Sequence, residues 1–307
     1  ISIDNGLINF RVLAKDKENL TCKVLDGGKL GSKRHVNLPG VRVDLPSITK
    51  KDRKDIHLAI KNNVSFIALS FVRSAQDILD LRDILKKKKS SARIIAKIEN
   101  QEGLDNIHEI TKATDIVMVA RGDLGIETDL ADLPNIQRRI MYATAKWGKR
   151  SIVATHLLES MIVNPTPTRA EVTDVANAIY EGADAVMLSG ETSVGKYPVQ
   201  CIKMLKNIAT KTENFRTLGY EEFLTEKSDW QNIAIAARDL ATRINADGIV
   251  VVTRSGQTAD VISSTKPFRM PIHAFTNNQE TFQQLSLVGG MQPYFMKSIS
   301  NQATAIN

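Results

Sequence analysis

Ile94-Ile95-Ala96-Lys97-Ile98-Glu99-Asn100 and, further along, Ile116-Val117-Met118-Val119-Ala120-Arg121-Gly122-Asp123 decide the fold. Each is a short apolar run without polar alternation, the pattern of a strand buried on both faces, and each precedes a helical pattern. Parallel α/β sheets are built this way, and their functional groups gather at the carboxyl ends of the strands. Both runs end in charge. Glu99 and Asp123 are therefore expected on neighbouring strand ends, with Lys97 on the same strand face as Glu99 because side chains alternate with period two. Two carboxylates at one rim suit Mg²⁺, which takes one or two carboxylates and leaves its other positions to water and phosphate. A lysine beside them can hold a phosphoryl group or stabilise an enolate. Taken singly, Lys-x-Glu is an ordinary salt-bridged strand end, and Gly122-Asp123 is an ordinary turn. Their joint placement at successive strand ends is what favours chemistry.

Outward from this centre, strands are expected at Val64 to Phe71, Ile94 to Ile98, Ile116 to Ala120, Ser151 to Thr155 and Ala183 to Ser189, each followed by a helix. Thr49-x-x-Asp52 and Thr168-x-x-Glu171 read as helix-starting capping boxes, the second opening a helix through Asp174 and Asn177, whose residues are read as structural. Before Pro46 the texture is different: short β-like runs broken at Asp4-Asn5-Gly6 and Asp26-Gly27-Gly28 read as part of a small β domain. After it, a polar stretch from Gly219 to Asp229 reads as a linker or surface excursion. A helix near Trp230 to Ile244, a strand at Gly248 to Thr253, a helix after Ser255-Gly256 and a strand near Pro271 to Phe275 then form a second, smaller α/β unit. Ser255-Gly256-Gln257-Thr258 is a weak anion-cradle signal.

The chain has 307 residues, 42% of them hydrophobic and 24% charged, enough for a globular protein with more than one core. The net charge is +7, but the dense basic run Lys86 to Lys89 closes a helix, where lysines complement the helix dipole. Without interleaved aromatics this argues against nucleic acid and for phosphate-bearing metabolites. No apolar run has membrane length. Cys22 and Cys201 lie far apart in no metal-binding pattern and read as reduced thiols of a cytoplasmic protein. The sequence opens at Ile1 within a strand pattern and stops at Asn307 just after the helix-like Ala303-Thr304-Ala305-Ile306, so it reads as part of a longer polypeptide.

Four motifs in order, Ile95-Ala96-Lys97-Ile98-Glu99-Asn100-Gln101-Glu102-Gly103, Met118-Val119-Ala120-Arg121-Gly122-Asp123-Leu124-Gly125-Ile126-Glu127, Pro165-Thr166-Pro167-Thr168-Arg169-Ala170-Glu171 and Asp184-Ala185-Val186-Met187-Leu188-Ser189-Gly190-Glu191-Thr192, closely resemble the pyruvate kinase family. Asn37-Leu38-Pro39-Gly40 and Ser70-Phe71-Val72-Arg73 extend the likeness. The resemblance implies a partial (β/α)₈ TIM barrel of about five βα units at 42–213. A partial β cap domain at 1–41, a linker at 214–228 and a partial C-terminal α/β domain at 229–307 complete the division. It implies phosphoryl transfer from phosphoenolpyruvate to ADP, giving pyruvate and ATP in glycolysis. Glu99 and Asp123 match the ligands of Mg²⁺ or Mn²⁺, and Lys97 matches the lysine that steadies the moving phosphoryl charge. Gly122 and Asp123 offer amides, and Thr155 a hydroxyl, where the family grips the substrate carboxylate. Ser189 and Glu191 match a pair near the proton-delivery path, although Ser189 also suits a helix cap. Arg34 stands where many members carry a nucleotide-facing lysine.

The likeness further implies K⁺ as a second cation and a homo-oligomer, a tetramer in the parent. Departures are His156 after Thr155, His35 beside Arg34, and Asn5 in a pair usually written Asp-Asp. The family's N-terminal barrel strands, with their phosphate-binding arginine and K⁺ ligands, have no counterpart here, so this chain alone is expected to be a poor catalyst. The rival readings are a metal-dependent aldolase or lyase acting on phosphoenolpyruvate or pyruvate, and an inactive folded fragment acting only in assembly.

Overall fold

A computed structural model describes residues 1–4, 6–41, 45–224 and 228–297. Asn5 and the helical pattern at 303–306 lie outside the described residues. Strands β1 (Ser2–Ile3), β2 (Ile8–Lys15), β3 (Leu20–Asp26) and β4 (Val36–Asn37) form an antiparallel sheet in the order β3-β2-β1-β4. The β1–β2 turn opens at Asp4, a non-glycine with φ +56°, and continues through Gly6 at φ +81°, a conformation glycine adopts at no steric cost.

Helix α1 (Lys50–Lys61) follows, opened by the expected Thr49–Asp52 capping box. Strand and helix then alternate through β5 (Phe66–Leu69), α2 (Ala75–Lys87), β6 (Arg93–Ile98), α3 (Gln101–Asp105), α4 (Ile107–Ala113) and β7 (Ile116–Ala120). The alternation continues through α5 (Arg121–Glu127), α6 (Leu133–Lys146), β8 (Arg150–Ala154), α7 (Arg169–Tyr180), β9 (Ala185–Met187), α8 (Gly190–Ser193) and α9 (Pro198–Thr212). The five strands are all parallel, in sequential order. Period-two alternation sorts their side chains. Ile94, Ala96, Ile98, Val117, Val119 and Val153 pack under the helices. Ile95, Ile116, Met118, Ala120, Ile152 and Ala154 form a second apolar face. Every residue of β7 and β8 is buried, and burying each large aliphatic side chain is worth about 1.5–3 kcal/mol. That burial holds the rim-bearing strand ends in place.

The trailing unit contains α10 (Asp229–Arg243), β10 (Ile249–Val252), α11 (Gln257–Ser264), β11 (Ile272–Thr276), α12 (Gln279–Leu285) and β12 (Met291–Phe295), with a parallel sheet β10-β11-β12. Sequence patterning misses the last helix and strand. Pro293 argues against a strand, but β12 is an edge strand, where a missing N–H costs little. The segment expected as a polar linker is anchored as well. Tyr220 and Phe223 in a short 3₁₀ turn pack edge-on and tilted against Tyr142 at centroid distances of 5.8 and 5.5 Å, and Leu224 is buried. Its apolar residues are spaced to cover α6, which a reading of average polarity overlooks.

Candidate active site

Glu99 follows the last residue of β6 and is 1% exposed. Its Oε1 lies 2.6 Å from Lys97 Nζ, and its Oε2 accepts the Phe71 N–H at 2.6 Å. Lys97 also donates to Ser70 Oγ at 2.9 Å. The loop after β5 therefore supplies the second wall, and Phe71 takes a left-handed φ of +51° to do so, a strained position for a bulky residue. Burial pushes the Glu99 carboxyl above its usual range; the Lys97 hydrogen bond and charge oppose this, and the nearby Asp123 charge reinforces it.

Asp123 lies in the first turn of α5, directly after β7. Its Oδ1 is 3.3 Å from His35 Nδ1 and 3.5 Å from Asn37 Nδ2, both from the β cap unit. Asn37 also donates to Glu127 at 3.0 Å, while its own Oδ1 is buried without a hydrogen-bond partner. The Gly122 N–H donates to Thr155 Oγ1 at 2.8 Å, and that hydroxyl donates to the Ala154 carbonyl at 2.6 Å. The structure thus brings Lys97, Glu99, Gly122, Asp123 and Thr155 to the carboxyl rim of three consecutive strands.

Thr155 and His156 are both left-handed, at φ +69° and +53°, at a cost on the order of 1–3 kcal/mol per residue. Arg121 holds that turn. Its buried guanidinium donates to the Thr155 carbonyl through Nη2 at 2.6 Å and Nε at 3.1 Å, to the His156 carbonyl at 3.3 Å, and to Asp174 Oδ1 at 2.7 Å. Asp174, read from sequence as a structural helix residue, is therefore part of the site's support. Arg121, Ser70 and Asn37 are the residues sequence reasoning passed over. All three lie inside or beside quoted motifs, but their partners are distant in sequence.

The remaining expected residues are placed differently. Arg34 pairs with Asp4 at 3.2 Å within the cap, and His156 faces Glu159 at 3.5 Å, half exposed. Both Glu191 oxygens accept backbone N–H groups, from Leu158 at 3.0 Å and Ser189 at 2.7 Å. Ser189 precedes α8, but its hydroxyl makes no capping hydrogen bond.

Among the described residues no group of three or more His, Cys, Asp or Glu side chains could hold a metal. Glu99 and Asp123 nonetheless fit a divalent cation. They are hard oxygen donors close enough for the Asp123 charge to act on Glu99, two like charges that a cation would relieve, and Mg²⁺ needs only one or two carboxylates when substrate and water complete its shell.

A five-stranded parallel βα sheet with carboxylates and a lysine on its carboxyl rim, a β cap folded onto that rim and a trailing α/β unit define a multidomain protein of the parallel βα class. Residues 1–202 match the family model for the pyruvate kinase barrel domain, and residues 231–307 match that for the pyruvate kinase alpha/beta domain. The chain belongs to the pyruvate kinase family. It is 45% identical over 313 aligned residues to the pyruvate kinase of Staphylococcus aureus strain MRSA252, covering 100% of this chain and 53% of that protein. The pyruvate kinase of strain NCTC 8325 matches with the same figures. A crystal structure of a pyruvate kinase from Cryptosporidium parvum superposes with a TM-score of 0.94 at 36% identity, covering 99% of this chain and 64% of that one. The chain thus spans about half the length of the curated relatives it matches. Among the described residues no helix is long and apolar enough to cross a membrane.

Proposed function

We propose that the whole protein transfers the phosphoryl group of phosphoenolpyruvate to ADP, giving pyruvate and ATP, and that this chain carries the rim where the substrate is held. The observation that carries this reading is the convergence of Lys97 and Glu99 at 2.6 Å beside the Gly122–Thr155 pair at 2.8 Å. One end presents charge suited to a phosphate, and the other presents donors suited to a carboxylate.

In this reading Glu99 and Asp123 hold Mg²⁺ or Mn²⁺, which when bound supplies positive charge against the phosphate and enolate oxygens. Lys97 leaves Glu99 to meet the phosphoryl group in flight, where little but positioning and charge neutralisation is required of the protein. The amides of Gly122 and Asp123, with the Thr155 hydroxyl, grip the carboxylate; Gly122 exchanges its bond to Thr155 Oγ1 for one to substrate. With both Glu191 oxygens committed to backbone N–H groups, the relay of a proton to the enolate falls to Ser189 in this reading. Arg34 exchanges Asp4 for nucleotide phosphate. Family membership supports K⁺ as a second cation and a cytoplasmic homo-oligomer.

The test is a coupled assay on the whole protein. ADP-dependent pyruvate formation that stops on chelation of Mg²⁺ is the expected result. A folded protein that forms no pyruvate from phosphoenolpyruvate and ADP with Mg²⁺ and K⁺ present overturns the proposal.

A further inference from the structure

The trailing unit meets the barrel sheet at the end opposite the rim, and there one residue serves two strands. Asp260 Oδ2, on α11, lies 2.8 Å from Arg93 Nη2, and its Oδ1 accepts Arg93 Nη1 at 3.1 Å. Arg150 reaches the same residue, with Nε 3.6 Å from Oδ1 and Nη2 donating to the Asp260 backbone carbonyl. Arg150 is 3% exposed and neither its Nε nor its Nη1 has a hydrogen-bond partner, so the Nη2 bond to the Asp260 carbonyl ties it to α11, with the Asp260 and Asp184 carboxylates as its counter-charges. The approach is close: a Cβ on Gly256, just before α11, would come within 2.9 Å of Arg93 Nη2.

Arg93 opens β6 and Arg150 opens β8. The far end of β6 carries Lys97 and Glu99, and β8 leads into Thr155. Four residues of extended chain span about 13 Å, and both strands are hydrogen-bonded to β7 between them. A shift at the base of either strand has no bend or loop to absorb it before the rim.

We propose that Asp260 is a positioning residue: by holding the amino end of β6 through its carboxylate, and that of β8 through the charge of the same carboxylate and its backbone carbonyl, it sets the relative height of the two strands and so the spacing of Lys97 and Glu99 from Thr155. The proposal rests on the reading of the rim as the substrate site. Small displacements matter at such sites, since a misplacement of about 1 Å costs on the order of a hundredfold in rate.

The Phe71 amide, bonded to Glu99, and the Gly122 amide, bonded to Thr155, report the rim directly by hydrogen exchange in the whole protein. In Asp260→Ala both are expected to exchange about tenfold faster while amides of α6 keep their protection. In the coupled assay, kcat is expected to fall about tenfold with KM for phosphoenolpyruvate within about twofold. Asp260→Ala/Arg150→Met also removes the buried guanidinium that has lost one of its two counter-charges and is expected to retain both effects. Restoration of exchange and kcat in that double variant would mean that Asp260 only neutralises Arg150, and would overturn the proposal. Unchanged rim exchange in Asp260→Ala, or a uniform rise that includes α6, would also overturn it. If the parent protein forms no pyruvate, the exchange measurements decide the positioning claim by themselves.

Discussion

Lys97 and Glu99, two residues apart at the end of one strand, meet at 2.6 Å while the far oxygen of Glu99 takes the Phe71 N–H. The carboxylate is thereby aligned by its own strand and by the neighbouring loop, and the ammonium is parked within reach of the rim. Replacing Lys97 by methionine keeps most of the unbranched side chain and removes its charge. Single-turnover transfer from phosphoenolpyruvate should slow by roughly a hundredfold or more, the scale of a lost electrostatic stabiliser. Mn²⁺ titration should still show binding, because a metal replaces the ammonium as counter-charge to Glu99. A near-normal rate would remove Lys97 from the chemistry.

Glu99→Ala would strand both Lys97 and the Phe71 N–H, confounding loss of metal with loss of structure. Glu99→Gln retains an acceptor for that N–H while removing the charge that would hold the metal. Mg²⁺ or Mn²⁺ at a hundred times its dissociation constant should stabilise the parent protein by about 2.7 kcal/mol, an increment that chelation removes. Thermal melts of Glu99→Gln should show no such increment. A metal-dependent rise of the same size in the variant would place the cation elsewhere.

The Lys97, Glu99 and Asp123 cluster was legible because strand periodicity and strand-end placement are local properties of sequence. The barrel sheet was legible for the same reason, with β7 matching the expected limits of Ile116 to Ala120. Arg121 was not legible: it answers the carbonyls of Thr155 and His156 and the carboxylate of Asp174, groups that only the folded chain brings near. Asp260 was hidden in the same way, since its partners Arg93 and Arg150 open strands of another unit. Glu191 shows the converse. Its motif suggests chemistry, while its buried oxygens are occupied by the backbone N–H groups of Leu158 and Ser189.

Arg121 braces the strained turn at Thr155 and His156. Arg121→Met leaves the Thr155 and His156 carbonyls without their donor and Asp174 without its partner. It should lower the stability of the protein by roughly 3 kcal/mol, the low end for a broken buried pair because Asp174 is partly exposed. Arg121→Lys should recover little of this, since a single ammonium cannot span two carbonyls and a carboxylate as the planar fork does. Urea denaturation would measure both, and full recovery by lysine would show that charge alone suffices.

Asp184 gives the junction between barrel and trailing unit a pH dependence. Burial works against its ionisation, yet the charges of Lys266 and Arg150, the Lys266 hydrogen bond at 2.6 Å and the Ser151 N–H at 2.9 Å hold the carboxyl below its usual range. The unfolded chain therefore binds a proton that the folded chain refuses, so the stabilisation is fully present above the unfolded pKa of about 3.9 and is lost as pH falls through the lower folded value. Asp184→Asn should be less stable than the parent protein at neutral pH, by roughly 3 kcal/mol, because Lys266 loses its partner. That gap should stay constant down to about pH 4 and narrow below it, by up to about 1.3 kcal/mol at pH 3, as the unfolded chain takes up the proton that the folded chain refuses. Melting temperatures of the two proteins from pH 7 to pH 3 would show this convergence, and a gap that persists unchanged at the acid end would mean that Asp184 contributes through packing and not through its charge.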